Sequence, residues 1–206
     1  MFLEVLVKGG MLLWLILILG VATVVIFINR LFQLHRERVD TADLLSGIIN
    51  NVRRGNVDEA HQHCVTTLGP VARILQAAID GRAKPFEDLA QDLDMTGRAE
   101  IVRMERRLSL LSLIAQTAPI LGLIGTMFGL IRLVMDIRET TPLTQAADVA
   151  NGLIPALGMT AAGLVVSLFA FASFQVLVGK IDKLVVEMEQ AATAIVQFIR
   201  GERTRP

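Results

Sequence analysis

The feature of the sequence that most restricts its fold is a charge-free stretch of 24 residues, Leu108 to Ile131. A helix of this length rises about 36 Å, enough to cross a hydrocarbon core of about 30 Å with some tilt. Hydroxyl and amide side chains and several glycines interrupt the stretch, and Pro119 stands near its middle. A helix surrounded by lipid gains nothing from such residues. We therefore expect a transmembrane helix that packs among other helices or lies beside a polar path.

Two further charge-free stretches, residues 11–28 and 152–179, are long enough to span a membrane. A signal peptide is the alternative for the first stretch, and it would need positive charge before the apolar run and a small-residue cleavage site after it. This run ends instead in Asn29-Arg30, which favours a retained transmembrane helix. A hydrophobic fraction of 53% and a mean hydropathy of +0.56 are consistent with a membrane protein that has a sizeable aqueous part.

These patterns predict an all-α membrane protein with three transmembrane helices and long cytoplasmic helical extensions. The C-terminal residues from Ile181 to Ile199 are apolar at helical spacing, so that helix needs a partner for its apolar face. The partner is either the helix expected from Phe86 to Arg107 or a neighbouring subunit, and we expect that helix to continue unbroken into the second span. The expected segments are a periplasmic head (1–10), transmembrane helices (11–29, 108–135 and 151–179), a cytoplasmic helical region (30–107), a periplasmic loop (136–150) and a cytoplasmic C-terminal helix (180–206).

The distribution of Lys and Arg predicts the orientation. Residues 30–107 carry 12 basic side chains and residues 180–206 carry 5, against 1 in the head and 2 in residues 132–150. Under the positive-inside rule the N-terminus is periplasmic and the C-terminus cytoplasmic. The 20 basic and 20 acidic residues of the whole chain balance, so net charge does not indicate a nucleic-acid partner.

Hydroxyl-bearing residues recur on one face of the second and third spans. Ser112, Pro119 and Thr126 are spaced by seven, as are Thr160 and Ser167, and seven residues return a helix to within about 20° of the starting direction. Helix packing is the alternative interpretation, because small residues separated by four allow close contact between helices. The residues for which packing is the simpler interpretation are Gly122, Gly125, Gly129 and Gly163.

A polar path along these stripes would hold no ionisable residue of its own, since the interiors of all three spans lack Asp, Glu, His, Lys and Arg. Proton relays through a membrane normally use a titratable group. Either the chain moves no proton, or a second polypeptide supplies the carboxylate. We expect no metal site, because His61 and His63 point about 200° apart on a helix and Cys64 is the only cysteine. No phosphate-binding loop or activated nucleophile indicates an enzyme or a cofactor.

Two segments carry a resemblance to a known family. TAPILGLIGTMFGL in the second span and GLIPALGMTAAGLVVSLFA in the third resemble the MotA/TolQ/ExbB group of energy-transducing membrane channels, and the three-span layout resembles its ExbB/TolQ branch. The stretches GNVDEAHQHC and GPVARILQAAI are similar to the cytoplasmic helices of that branch. The resemblance covers nearly the whole chain.

The resemblance implies a pentamer in the bacterial inner membrane, surrounding a dimer of an ExbD/TolR-like single-span subunit whose membrane Asp carries the proton. A TonB- or TolA-like transducer would receive the motion. Carried over residue by residue, the channel-lining threonines are Thr126 and Thr160. Pro155 stands where ExbB and TolQ often carry a glutamate, five residues before Thr160.

The function expected from these features is a proton-channel or stator subunit that couples proton motive force to mechanical work on an envelope partner. The alternative is a non-conducting membrane scaffold that only positions the single-span subunit. A secondary transporter is disfavoured by the three spans and the lack of an inverted repeat. At the outer mouth we expect Arg132 to pair with Asp136, four residues further along the same helix face.

Overall fold

The computed structural model describes residues 10–36, 41–106, 108–140 and 146–203. These residues form seven helices and no strand, which confirms the all-α prediction. The expected head, apart from Gly10, lies outside the described residues. The helices are α1 (Gly10–Arg36), α2 (Thr41–Arg53), α3 (Val57–Thr66), α4 (Pro70–Asp80), α5 (Phe86–Arg106), α6 (Ser109–Thr140) and α7 (Ala146–Arg203).

Three of these helices, α1, α6 and α7, each contain a stretch long and apolar enough to cross a membrane. The three-span prediction is therefore confirmed. Some expected boundaries differ. Helix α6 continues to Thr140 and α7 begins at Ala146, so most of the loop expected over 136–150 is helical. Leu108 forms a turn, so the expected unbroken helix from Phe86 into the second span is interrupted there.

The third span and the C-terminal helix are one continuous helix of 58 residues. The chain nevertheless divides into two compact units, each with its own packing. The spanning unit comprises the chain up to Asn29 together with Leu108–Val176, and the polar unit comprises Arg30–Arg107 and Leu177–Pro206.

The polar unit has a conventional hydrophobic core. Along α7, four side chains at helical spacing are at most 8% exposed. They belong to one cluster with buried residues of α2, α3, α4 and α5. The apolar face of α7 is thus covered within the chain, by four helices and not by the Phe86 helix alone, and it needs no neighbouring subunit. The four α7 residues are Met188, Ala191, Ile195 and Ile199.

Local sequence explains where the short helices of this unit begin. Gly55 has φ +82°, a left-handed conformation that glycine adopts readily, and it forms the turn between α2 and α3. Gly69 has φ +140° and precedes Pro70, the first residue of α4. Proline suits this position because its missing N–H would have no helical partner and its φ is already helical. The His61 imidazole of α3 lies 3.3 Å from the Asp80 carboxylate at the end of α4.

Cys64 is buried in the core of the polar unit, with 3% of its surface exposed. Burial, and to a smaller extent the nearby negative charge of Asp80, raise the pKa of its thiol from an ordinary value of 9.0 to about 11. Because the pKa is higher in the folded state, the unfolded chain loses this proton first as pH rises. The contribution of the neutral thiol to the free energy of unfolding is complete below pH 9 and is lost towards pH 11.

We predict that iodoacetamide alkylates Cys64 slowly in the folded protein. Only the thiolate reacts, and a pKa two units higher reduces the thiolate fraction near pH 8 by about 100-fold. Mass spectrometry after timed labelling at pH 8 measures the rate, and the same protein unfolded in dodecyl sulfate is the control. Equal rates in the two states would contradict the buried position of the thiol.

Candidate functional site

Helices α6 and α7 approach each other closely at two glycines of the spanning unit. A Cβ atom placed on Gly163 would lie 2.6 Å from the carbonyl oxygen of Ala118 and 3.0 Å from the Cα of Gly122. A Cβ on Gly122 would lie 3.0 Å from the carbonyl oxygen of Met159. These contacts are with backbone atoms, which cannot rotate away. Only glycine on both helices permits this approach.

The same small-residue contact continues along the helix pair. A Cβ on Gly125 would lie 2.5 Å from the Sδ atom of Met159, and one on Gly129 would lie 2.6 Å from the Cβ of Ala156. The packing interpretation of these glycines therefore describes real contacts. It does not compete with the hydroxyl stripe, because the hydroxyl groups lie along the same crossing.

The structure brings Thr126 and Thr160 together at this crossing. Their hydroxyl groups are in hydrogen-bond contact with each other, and both side chains are half-buried. The Thr126 hydroxyl also lies 3.1 Å from the carbonyl oxygens of Gly122 and Ala156, and the Thr160 hydroxyl lies 3.4 Å from the Gly122 oxygen. A hydroxyl donates one hydrogen bond and accepts two, so this pair can exchange partners without leaving either proton unbonded.

Ser167 and Pro119 form a second cross-link between the two helices. Proline has no N–H, so Pro119 leaves the carbonyl oxygen of Ala115, four residues earlier, without its helical donor. The Ser167 hydroxyl of α7 donates to that oxygen at 2.7 Å. The Ser167 hydroxyl of one helix thus satisfies a carbonyl oxygen of the other inside the membrane-spanning segment, where an unpaired backbone group is costly. Pro155 is half-buried inside α7.

Ser112 behaves differently from the other members of the predicted stripe. Its hydroxyl accepts a hydrogen bond from Nε2 of Gln116, on the same helix, at 3.0 Å. Sequence reasoning noted Gln116 as a polar residue in the span but assigned it no site. Its spacing of four from Ser112 was the available signal.

Helix α1 covers one side of the α6–α7 pair. Leu19 and Ile26 pack against a cluster of Ile114, Ala115 and Ala170, and a Cβ on Gly20 would lie 3.2 Å from Val166. The fully buried Thr23 donates its hydroxyl hydrogen to the Leu19 carbonyl at 2.8 Å, which satisfies it inside α1.

Arg132 and Asp136 are both exposed near the end of α6. Their pairing, and their position at an outer mouth, remain predictions.

We predict that Gly163→Ala destabilises the spanning unit by about 1–3 kcal/mol, because the added methyl group must push the two backbones apart. Thermal unfolding of the purified protein in detergent measures this as a lower midpoint. The matched control is Gly179→Ala on the same helix, where an added Cβ meets nothing within 4 Å. Alanine is the better helix former, so the control should be neutral or slightly stabilising. Equal midpoints for the two variants would contradict the close contact.

Comparison with known proteins assigns the chain to a family. The profile of the MotA/TolQ/ExbB proton channel family matches residues 67–190, which include the whole α6–α7 crossing. A putative biopolymer transport protein ExbB homolog of Methanothermobacter thermautotrophicus is 25% identical over 188 residues, covering 91% of this chain and 66% of that protein. A putative biopolymer transport protein ExbB-like 1 of Synechocystis sp. is 31% identical over 178 residues, covering 83% of this chain and 68% of that protein.

A third relative matches over a shorter stretch. The biopolymer transport protein exbB1 of Vibrio cholerae is 34% identical over 94 residues, covering 46% of this chain and 41% of that protein. The chain spans about two thirds of the length of the first two relatives. The family profile covers more than half of the chain, and the relatives that match most of its length are named for ExbB. The chain is therefore a membrane protein of the MotA/TolQ/ExbB proton channel family, similar to its ExbB-like members.

Proposed function

We propose that this chain is the channel and stator subunit of a proton-driven complex, working with an ExbD/TolR-like single-span subunit. The observation that carries the proposal is the hydroxyl pair of Thr126 and Thr160 at the glycine crossing of α6 and α7. It lies within the charge-free stretches 108–131 and 152–179 of the second and third spans. Family membership supports transport of protons as the activity.

The chemistry of the pair suggests a division of roles. A threonine hydroxyl does not release its proton near neutral pH, but it donates to a carboxylate and accepts from a protonated carboxyl group. The pair would therefore hold a carboxyl group in either protonation state without taking its proton. The carboxyl group itself must come from another chain, and the membrane Asp of the single-span subunit would supply it. Protonation from outside and discharge inside would then drive motion of the complex.

The assembly we propose is a ring of five copies around a dimer of the single-span subunit, in the inner membrane of a bacterium. The N-terminus would be periplasmic and the C-terminus cytoplasmic, as the distribution of basic residues indicates. A TonB- or TolA-like transducer would take up the motion. The covered apolar face of α7 gives no support to the ring, which depends on family membership and on the polar groups exposed along the spans.

A non-conducting scaffold is the second candidate, and one observation favours it. The hydroxyl groups of Thr126, Thr160 and Ser167 all bond to the neighbouring helix, so packing alone accounts for them. The two candidates differ in whether the complex carries a proton flux, and in whether that flux falls when the hydroxyl groups are removed and the side-chain shape is kept.

We predict that the double variant Thr126→Val, Thr160→Val assembles normally but loses most proton flux. Liposomes containing the chain, with and without an ExbD/TolR-like subunit from the same genome, and a pH-sensitive dye inside, measure the flux. Thr117→Val is the matched control, because among the described residues its hydroxyl bonds to the Leu113 carbonyl of its own helix, at 2.9 Å, and to no other group. Unchanged flux in the double variant would exclude the threonine pair as the conducting site. No flux from the unsubstituted complex, with the single-span subunit present, would favour the scaffold.

We predict that the protein purified in mild detergent is an oligomer, with five copies expected. Native mass spectrometry counts multiples of the 22.5 kDa chain directly, after detergent is removed in the instrument. A single copy of the chain as the dominant species, at every detergent concentration that preserves the fold, would exclude the ring.

A further inference from the structure

Two glutamine side chains are exposed within the charge-free spans, Gln116 on α6 and Gln175 on α7. An amide facing lipid leaves its hydrogen-bonding groups without partners, which is costly in hydrocarbon. Gln116 uses one N–H on the Ser112 hydroxyl, and its carbonyl oxygen has room for further bonds. Gln175 has no hydrogen-bond partner among the described residues. Both amides therefore need water or another polar group beside them.

The position of α1 shows which side of the helix pair they occupy. Ile114 on α6 and Val166 on α7 belong to the contact with α1. At about 100° per residue, Gln116 lies about 160° around α6 from Ile114, and Gln175 about 180° around α7 from Val166. The two amides thus lie on one side of the helix pair, the side opposite α1.

The side chains of Thr126 and Thr160 also face the side of the helix pair opposite α1. Thr126 lies about 120° around α6 from Ile114, and Thr160 about 120° around α7 from Val166. Both side chains are half-buried, so part of each faces out of the crossing. The hydroxyl pair and the two amides therefore border one surface of the spanning unit.

Within the charge-free stretches, the amides of this surface lie in one direction from the threonine pair along the helices. The helices run antiparallel, because Thr126 meets Thr160 while Ser167 meets Ala115. From Thr126 towards Ser109, Gln116 follows after about 15 Å, and Gln175 lies about 22 Å from Thr160 in the same direction. In the opposite direction this surface carries the exposed apolar side chains Val134 and Leu157.

Apolar residues also separate the polar groups from one another. Leu123 and Leu164 lie on the same surface between the threonine pair and the amides, and both are more than half exposed. The amides and hydroxyl groups are thus spaced along the surface and do not touch in a continuous chain. Water molecules would have to bridge the gaps between them.

We propose that Gln116 and Gln175, with Ser112, line a hydrated passage that joins the threonine pair to the water at the Ser109 end of α6. The inference extends the proposed function, since it names the route by which a proton reaches or leaves the hydroxyl pair. The amides hold water on both their donor and acceptor sides and do not ionise, so the proton moves along the water and not through the side chains.

Cysteine accessibility tests the passage directly. In a Cys64→Ala background, Gln116→Cys and Gln175→Cys are treated with a charged methanethiosulfonate reagent that does not enter lipid, and labelling is followed by mass spectrometry. The matched controls are Leu110→Cys and Val176→Cys. Both native side chains are exposed, at 55% and 49%, and both lie nearer the Ser109 end of the helix pair than the glutamine on their own helix. They point about 120° and 100° away from those glutamines.

We expect the two glutamine positions to react at least about tenfold faster than the controls, because a thiol in water ionises and a thiol in lipid does not. Equal or slower labelling at the glutamine positions would overturn the passage. If Gln116→Cys does not assemble, the labelling rates of Gln175→Cys and Val176→Cys are sufficient to test the passage. Labelling needs neither proton flux nor the single-span subunit. Absence of flux from the unsubstituted complex would therefore refute the proposed function, whereas the labelling rates would still show whether the passage holds water.

Discussion

The spanning unit depends on the contact between the backbones of α6 and α7 at Gly122 and Gly163. Lipid provides no hydrophobic force that would press two apolar helices together, so their association depends on close van der Waals contact and on hydrogen bonds between them. Both need the glycines. With larger side chains the helices would stand further apart, and the Thr126 hydroxyl would no longer reach the Ala156 carbonyl or the Thr160 hydroxyl. The hydrogen bonds of the candidate site can therefore form only because glycines, which have no side chain, stand beside the two threonines.

The two units of the chain are stabilised by different physical effects. In the polar unit, large apolar residues such as Ile48, Leu75 and Ile195 are almost completely buried, as expected where burial removes apolar surface from water. In the spanning unit, many large apolar residues are exposed and small ones occupy the contacts, since lipid is the solvent there. Helix α7 contributes residues to both units, and its composition changes accordingly from glycine and hydroxyl residues to a regular apolar stripe.

Much of the fold and part of the candidate site could be predicted from the sequence, because both depend on local patterns. Charge-free length identified the three spans, and spacing by seven placed Thr126 and Thr160 each on a polar stripe. Periodicity gives the direction of a side chain around its own helix but not which helix it meets. For that reason the cover of the α7 stripe by four helices was not predicted, nor was the pairing of Ser112 with Gln116. Helix ends near Thr140 and Ala146 were misjudged because charged residues suit a helix end and a loop equally well.

The bond between Ser167 and the carbonyl that Pro119 leaves free has a mechanical consequence. If α7 slid along α6 by even one residue, this carbonyl would lose its donor inside the contact between the two helices, and the threonine contacts would be lost together with it. Sliding is therefore expensive at two separate points along the same pair of helices. Any movement transmitted through this subunit should therefore carry α6 and α7 together as one rigid pair. The conformational change has to occur where this pair contacts other helices or other chains.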